Sequence, residues 1–207
     1  MAQPNVFTLA ILVLLFGTLA GADPLDEVRA SFTYSGTPIH PGIIELFDPG
    51  MADLKPQILE VDLAAAQNSN RFMAGSFIAD ANGWMRPKNS DKDDHAGYGY
   101  RFIGHLPSGA LVVQTEDSGG GSGRFESAML FSIRADTGLN DDGTIRVQHV
   151  LHLLREVGLG DRVQAVLHIN GSKILIDRSN ALDAAMRGPL VLDDPLPAAN
   201  ASGAATP

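Results

Sequence analysis

Strand-like runs recur along the chain from Ile58 to Ile176. In Ile58–Leu63, Leu59, Val61 and Leu63 alternate with Ile58, Glu60 and Asp62, the period of a half-buried strand. Arg71–Ala79 is rich in aromatic and aliphatic residues and is also read as a strand, followed by an Asn82-Gly83 turn before Trp84. From Tyr98 the alternation sharpens: Tyr98, Tyr100 and Phe102 share one face, with Arg101, Ile103 and His105 on the other. Pro107-Ser108-Gly109 is a short loop, after which Ala110–Thr115 returns as the next strand. Arg124–Arg134 is a further strand, and Asn140-Asp141-Asp142-Gly143 a turn.

Thr144–Val157 fits two periods. Val147, Val150, Leu151 and Leu154 suit a helix stripe, whereas Ile145, Val147, His149, Leu151 and Leu153 suit a strand. The strands on both sides decide for strand. Val163–Ile176 reads as a hairpin about Asn170-Gly171, a favoured pair for a two-residue type I′ turn. That turn sets Leu167 opposite Ile174 and Ala165 opposite Ile176, with Val163 on the same apolar face.

The centre of the pattern is a glycine arch. Gly119, Gly120, Gly121 and Gly123 lie between the apolar runs Ala110–Val113 and Ala128–Phe131. Glycine reaches positive φ without steric cost, so a sharp reversal between two central strands is expected here.

The flanks differ. Residues 23–56 carry Pro24, Pro38, Pro41, Pro49 and Pro56, which disfavour long regular elements. A strand at Ala30–Tyr34 and one or two helical turns at Pro41–Phe47 are expected, in a segment (23–60) that wraps over the domain. Ser179–Arg187 is read as a short helix with Asn180 as N-cap. From Asp193 to Pro207 little can be buried, and a disordered tail is expected. The β domain proper is placed at 61–192. Short strands with closely spaced turns, and no helices long enough for parallel crossovers, define a mainly β fold: an antiparallel sandwich or barrel-like domain with one or two short peripheral helices.

Composition adds an address. Residues 1–22 hold no charged side chain, Val6–Ala20 is nearly all apolar, and Ala20-Gly21-Ala22 is a small-x-small cleavage pattern. This is the plan of a secretory signal peptide, although its first five residues lack Lys or Arg. The expected product is secreted or periplasmic and begins at Asp23, with no stable membrane insertion after cleavage; an uncleaved anchor is the alternative. The formal charge of −9 then belongs entirely to the exported part, which disfavours nucleic-acid or anionic-lipid partners. The chain has no cysteine, hence no disulfide, thiol nucleophile or thiolate metal site. That usage points to a bacterial protein.

Candidate chemistry is sparse. The arch lacks the Gly-Lys-Ser/Thr and following helix of a phosphate loop, and Ser122 lacks the Gly-x-Ser-x-Gly elbow. Loops on a rigid β scaffold often carry binding, so Glu116, Asp117, Ser122 and Arg124 are candidate ligand contacts. Asp161 and Arg162, after Gly158-Leu159-Gly160, join them. On a strand their side chains diverge, one tying a core-edge backbone group and the other a charge such as Arg124 or Glu116. The six histidines show no His-Glu-x-x-His spacing, and His149 and His152 fall on opposite faces of a strand. Asp91–Asp94 is oxygen-rich but lacks calcium-loop spacing. Trp84, Tyr98 and Tyr100 suit either a sugar platform or the core, and the core needs them.

No catalytic residue, metal ligand or cofactor is assigned. The favoured expectation is a non-catalytic binding module at the cell envelope for a protein or glycan ligand. It carries the corollary of an exposed apolar or aromatic patch near the arch or on an edge strand. The alternatives are a hydrolase with an Asp/His/Ser site near Asp117 and Asp161, and a calcium-assisted adhesion module using Asp91–Asp94.

Overall fold

The computed structural model describes residues 23–48, 58–68, 76–88, 97–118, 122–181, 185 and 187–196. Residues 1–22, where a signal segment is expected, Arg71–Gly75 of the expected strand, the Asp91–Asp94 loop, Gly119–Gly121 of the arch and residues 197–207 lie outside the described residues, as do residues 182–184 and 186 of the expected Ser179–Arg187 helix.

A mainly β, antiparallel fold is what the alternation specified. Seven strands form one curled sheet shaped as a half-barrel, in the order β3-β9-β8-β7-β6-β5-β4. These are β3 (Glu60–Asp62), β4 (Phe77–Ala79), β5 (Trp84–Pro87), β6 (Gly97–His105), β7 (Leu111–Ser118), β8 (Phe125–Leu139) and β9 (Ile145–Asp161). A second sheet is made of β10 (Val166–Asn170), β11 (Lys173–Asp177) and β12 (Leu190–Asp193). A two-stranded ribbon, β1 (Thr33–Tyr34) with β2 (Thr37–Pro38), lies in the N-terminal segment. β7 and β8 pair antiparallel from Leu111↔Phe131 to Asp117↔Phe125, so the glycine arch does join two central strands.

Among the described residues, three short helices accompany the sheets: α1 (Pro24–Ser31), α2 (Pro41–Glu45) and α3 (Leu63–Asn68). The expected strand at Ala30–Tyr34 gives way to the end of α1 followed by β1. The reason lies upstream. Asp23 caps α1 by accepting from Leu25 N at 2.8 Å, and Pro24 sits in the first turn, where its missing N–H costs nothing. Asp26 and Glu27 add favourable charge near the helix N-terminus. Phe32 ends the helix in the left-handed region at φ 55°.

Alternation sends successive residues to the two faces of the large sheet, and each face has its own core. One buries Tyr98, Tyr100, Leu111, Val113, Met129, Phe131 and Leu151 under the N-terminal segment, which contributes Val28, Phe32, Ile39, Ile43, Ile44 and Phe47. Phe32 stacks on Phe102 at 5.2 Å and meets Tyr100 edge-on at 5.5 Å, while Phe47 meets Phe131 edge-on at 5.0 Å. Burying each such side chain contributes about 1.5–3 kcal/mol. The other face buries Val112, Ala128 and Leu130 against Leu167, Ile174, Ile176 and Leu192 of the small sheet.

Two expectations are corrected in the small sheet. Its hairpin turns on Gly171-Ser172, with Asn170 opposite Lys173, so Leu167 pairs with Ile176 and Ile169 with Ile174. The register is displaced by two residues from that of an Asn170-Gly171 turn. Because the side-chain period is also two, the apolar face survives unchanged. The second correction is that the chain does not become disordered at Asp193. β12 runs to Asp193, and Asp194 accepts from Ser108 Oγ at 2.7 Å and from Leu196 N at 3.0 Å.

β8 and β9 outrun the rest of the sheet. β7 covers β8 only as far as Phe131, and β3 covers β9 only from Val150 to His152. Beyond these limits the two strands continue as a free ribbon from Ala135↔His149 to Leu139↔Ile145, closed by the Asn140–Gly143 turn.

Candidate functional site

The expected site residues sit at the arch end of the sheet, but the sheet divides them. Glu116 and Asp117 are neighbours on β7 and so face opposite ways.

On the face of the small sheet, Glu116 is buried. Its Oε1 accepts from Arg86 Nη1 at 2.8 Å, and Arg124 Nε lies 3.0 Å away. Arg86 reaches Glu116 across Gly99, where a Cβ would lie 3.0 Å from Nη1 and 3.2 Å from Cγ. Arg86 and Arg101 both lie over the Trp84 ring, at 4.7 and 5.3 Å from its centroid. Next to this pair, Glu126 is buried and takes three hydrogen bonds: Gln164 N at 2.8 Å, Gln114 Nε2 at 2.9 Å and Ala165 N at 3.0 Å. These bonds hold the connector into β10, where Arg162 and Gln164 both take positive φ.

Asp161 and Arg162 act as a tie. Asp161 Oδ1 accepts from Arg124 N at 2.8 Å, fixing the chain where it leaves the arch. Arg162 does not diverge from it. At φ 53° the backbone has left the strand, and the guanidinium turns back onto Asp161 Oδ2 at 2.8 and 3.1 Å. The Arg124 amide and the Arg162 guanidinium hold the Asp161 carboxyl below its usual range. Ser122 is exposed beside the arch.

On the opposite face Asp117 belongs to a carboxyl group that sequence spacing did not disclose. Burial raises the Asp117 carboxyl, and Asp48 raises it further. Glu45 at the end of α2 is raised by burial and then by Asp117 and Asp48. Glu156 is raised by burial and by Asp48, partly offset by a hydrogen bond from Ser127. Beneath them Tyr98 is pushed well above its ordinary value, first by burial and then by Asp48. Asp117 and Asp161 stand two strands apart with Phe125 between them, roughly 9–10 Å by strand spacing.

The histidines lie elsewhere. His149 Nδ1 is 2.7 Å from the Tyr34 hydroxyl on one face of β9, and His152 Nδ1 is 3.0 Å from Glu60 on the other, as a strand period requires. Trp84, Tyr98 and Tyr100 are buried, and the Tyr100 hydroxyl donates to the Ile39 carbonyl.

Among the described residues, the three most exposed large aliphatic side chains lie at the far end of the free ribbon. Leu139, Ile145 and Val147 are 68%, 75% and 63% exposed. Register puts them on one side, Leu139 opposite Ile145 and Thr137 opposite Val147, continuing the row of Ile133 and Leu151 past the cover of the N-terminal segment. Tyr34 of that segment meets the His149 ring edge-on at 5.6 Å. On the other side Arg134 pairs with Glu60 at 2.8 Å and Arg146 pairs with Asp62, bracing the ribbon base against β3. Around the turn, Leu139, Asn140, Asp141, Asp142 and Arg146 line an open hollow of about 440 Å³. The sequence signal at this site is the alternation of Ile145, Val147 and His149, which marks a strand but does not say where the covering layer stops.

No family model, no curated protein and no solved structure matches this chain.

Proposed function

We propose that the chain is an exported, non-catalytic interaction module that engages a protein partner through the free β8–β9 ribbon. One observation carries this reading. Three aliphatic side chains, Leu139, Ile145 and Val147, stand in a row on an uncovered strand pair at 63–75% exposure. A lone exposed aliphatic needs no explanation, whereas a contiguous exposed row marks a contact surface. Ile145 and Val147 of the row lie on β9 where, among the described residues, no strand pairs with its outer edge, and such edges support strand addition.

A protein partner is favoured over a glycan because the residues suited to stacking on sugar rings, Trp84, Tyr98 and Tyr100, are buried in this fold. The hydrolase alternative would need Asp117, Asp161 and a histidine within hydrogen-bond reach. Asp161 is instead engaged by Arg124 and Arg162, and His149 and His152 by Tyr34 and Glu60.

The test is a selection of displayed random peptides on the immobilised protein. Enriched peptides are expected to bind at least about tenfold more weakly to a Leu139→Thr, Ile145→Thr, Val147→Thr variant that keeps its circular dichroism spectrum. Enriched peptides that bind both proteins equally would contradict the reading.

A further inference from the structure

We infer that the ribbon's partner is an extended protein segment, apolar at alternate positions and flanked by Lys or Arg, which adds as a strand beside Ile145–His149. This rests on the ribbon being the interaction surface, and says what occupies it.

The outer edge of β9 is paired by β3 only at Val150–His152, and α3, which follows β3, lies against β9 as well; among the described residues no strand pairs with Ile145–His149 on that edge. A strand laid there extends the sheet by backbone hydrogen bonds, and its alternate side chains fall beside Val147 and Ile145. The charge of the partner follows from the turn. Asp141 and Asp142 border the hollow at the end of the apolar row. Asp142 is held ionised by Thr144, whose amide and hydroxyl donate to Oδ1 at 2.9 and 2.6 Å. The nearby cations are committed elsewhere: Arg146 borders the same hollow but pairs with Asp62, and Arg134 pairs with Glu60 and Asp136. Among the described residues, no ion pair reaches Asp141 or Asp142. The row therefore ends in negative charge, and a basic side chain next to the apolar run complements it. A second copy of the chain is the poorer occupant. It would bring together two chains that each carry a formal charge of −9.

The probes are two synthetic peptides, Lys-Lys-Val-Thr-Val-Thr-Val-Lys-Lys and the same sequence with Glu in place of Lys, titrated by fluorescence anisotropy. The Lys peptide is expected to bind the wild type at least about tenfold more tightly than the Glu peptide, and to weaken as salt rises from about 50 to 500 mM. Asp141→Lys is expected to abolish that preference without altering the circular dichroism spectrum. Equal binding of both peptides, lost in the Leu139→Thr, Ile145→Thr, Val147→Thr variant, overturns the charge inference and leaves the ribbon reading standing. Binding of neither peptide overturns the inference. Binding indifferent to the triple variant overturns both. A wild-type protein that sediments as a dimer, and as a monomer after the triple substitution, makes the occupant a second copy and also overturns it.

Discussion

Leu139 and Ile145 face each other in the last rung of the β8–β9 ribbon, 68% and 75% exposed, beyond the reach of both neighbouring strands. An isolated two-stranded ribbon is marginal in water, so its ties to the body matter. Because these two side chains bury little in the free protein, Leu139→Thr with Ile145→Thr is expected to change stability by no more than about 1 kcal/mol. Phe131→Ala, eight residues back on the same strand and fully buried, is expected to cost about 3–5 kcal/mol. Urea denaturation of the two proteins measures both. A large loss in the double variant would mean that the ribbon tip packs against part of the chain.

The Arg86–Glu116 pair is a second point of leverage. Both side chains are nearly buried, and Gly99 leaves the space through which Arg86 passes. Truncating Glu116 to Ala leaves Arg86 with the Asp80 carboxylate at 3.8 Å from its Nε, and takes from Arg124 the carboxylate that lies 3.0 Å away. Removing one partner of a buried pair costs about 3–5 kcal/mol. Replacement of Arg86 and Glu116 together, by Met and Leu, is expected to cost less than Glu116→Ala alone. A double-mutant cycle read by denaturation checks the ordering, and additive losses would contradict it.

The Glu126 carboxylate joins the two sheets by accepting from the amides of Gln164 and Ala165. Glu126→Ala removes the acceptor of both amides, and the Ala165 amide, which is buried, is left unsatisfied at a cost of about 1–3 kcal/mol. The loss is expected to be local first. Amide exchange in β10 and β11 should speed up before exchange in β7 and β8 does, and uniform acceleration would count against this role.

Stability should also respond to pH through the carboxyls opposite the small sheet. Burial raises Asp117, Glu45 and Glu156 above their ordinary values of 3.8, 4.5 and 4.5, and Asp48 adds to each shift. The folded protein thus holds these protons more tightly than the unfolded chain. Their contribution favours folding below the ordinary values and is lost as pH rises through the raised ones. Asp117→Asn removes a charge that the fold resists. It is expected to raise Tm at pH 7 by a few degrees, on the scale of roughly 2–4 °C per kcal/mol, and to give no gain near pH 4. An equal shift at both pH values would rule out titration as the cause.

Much of the fold was legible in the sequence because strand period and turn residues are local. Tyr98, Tyr100 and Phe102 were assigned to one face, His149 and His152 to opposite faces, and the arch to a junction of central strands. The helix α1 was missed because prolines were read as breakers, whereas Pro24 sits where a helix tolerates it, behind an Asp23 cap. The hairpin register slipped because Asn170-Gly171 is a strong turn pair, and the chain turns one residue later. The site was less legible than the fold. Glu116, Arg124 and Asp161 were singled out and do meet near the arch, but Arg86, which pairs with Glu116, is thirty residues away. Asp48 and Glu45 come to Asp117 only through the docking of the N-terminal segment, and no spacing rule records that.

Amide hydrogen exchange of the intact protein, with and without a saturating concentration of a selected peptide, tests the account most directly. Protection is expected to rise at Ile145–His149 on the open edge of β9 and to stay unchanged in β6 and β7. Protection that appears at the arch or on the small sheet, with Ile145–His149 unaffected, would contradict the assignment of the ribbon as the interaction surface.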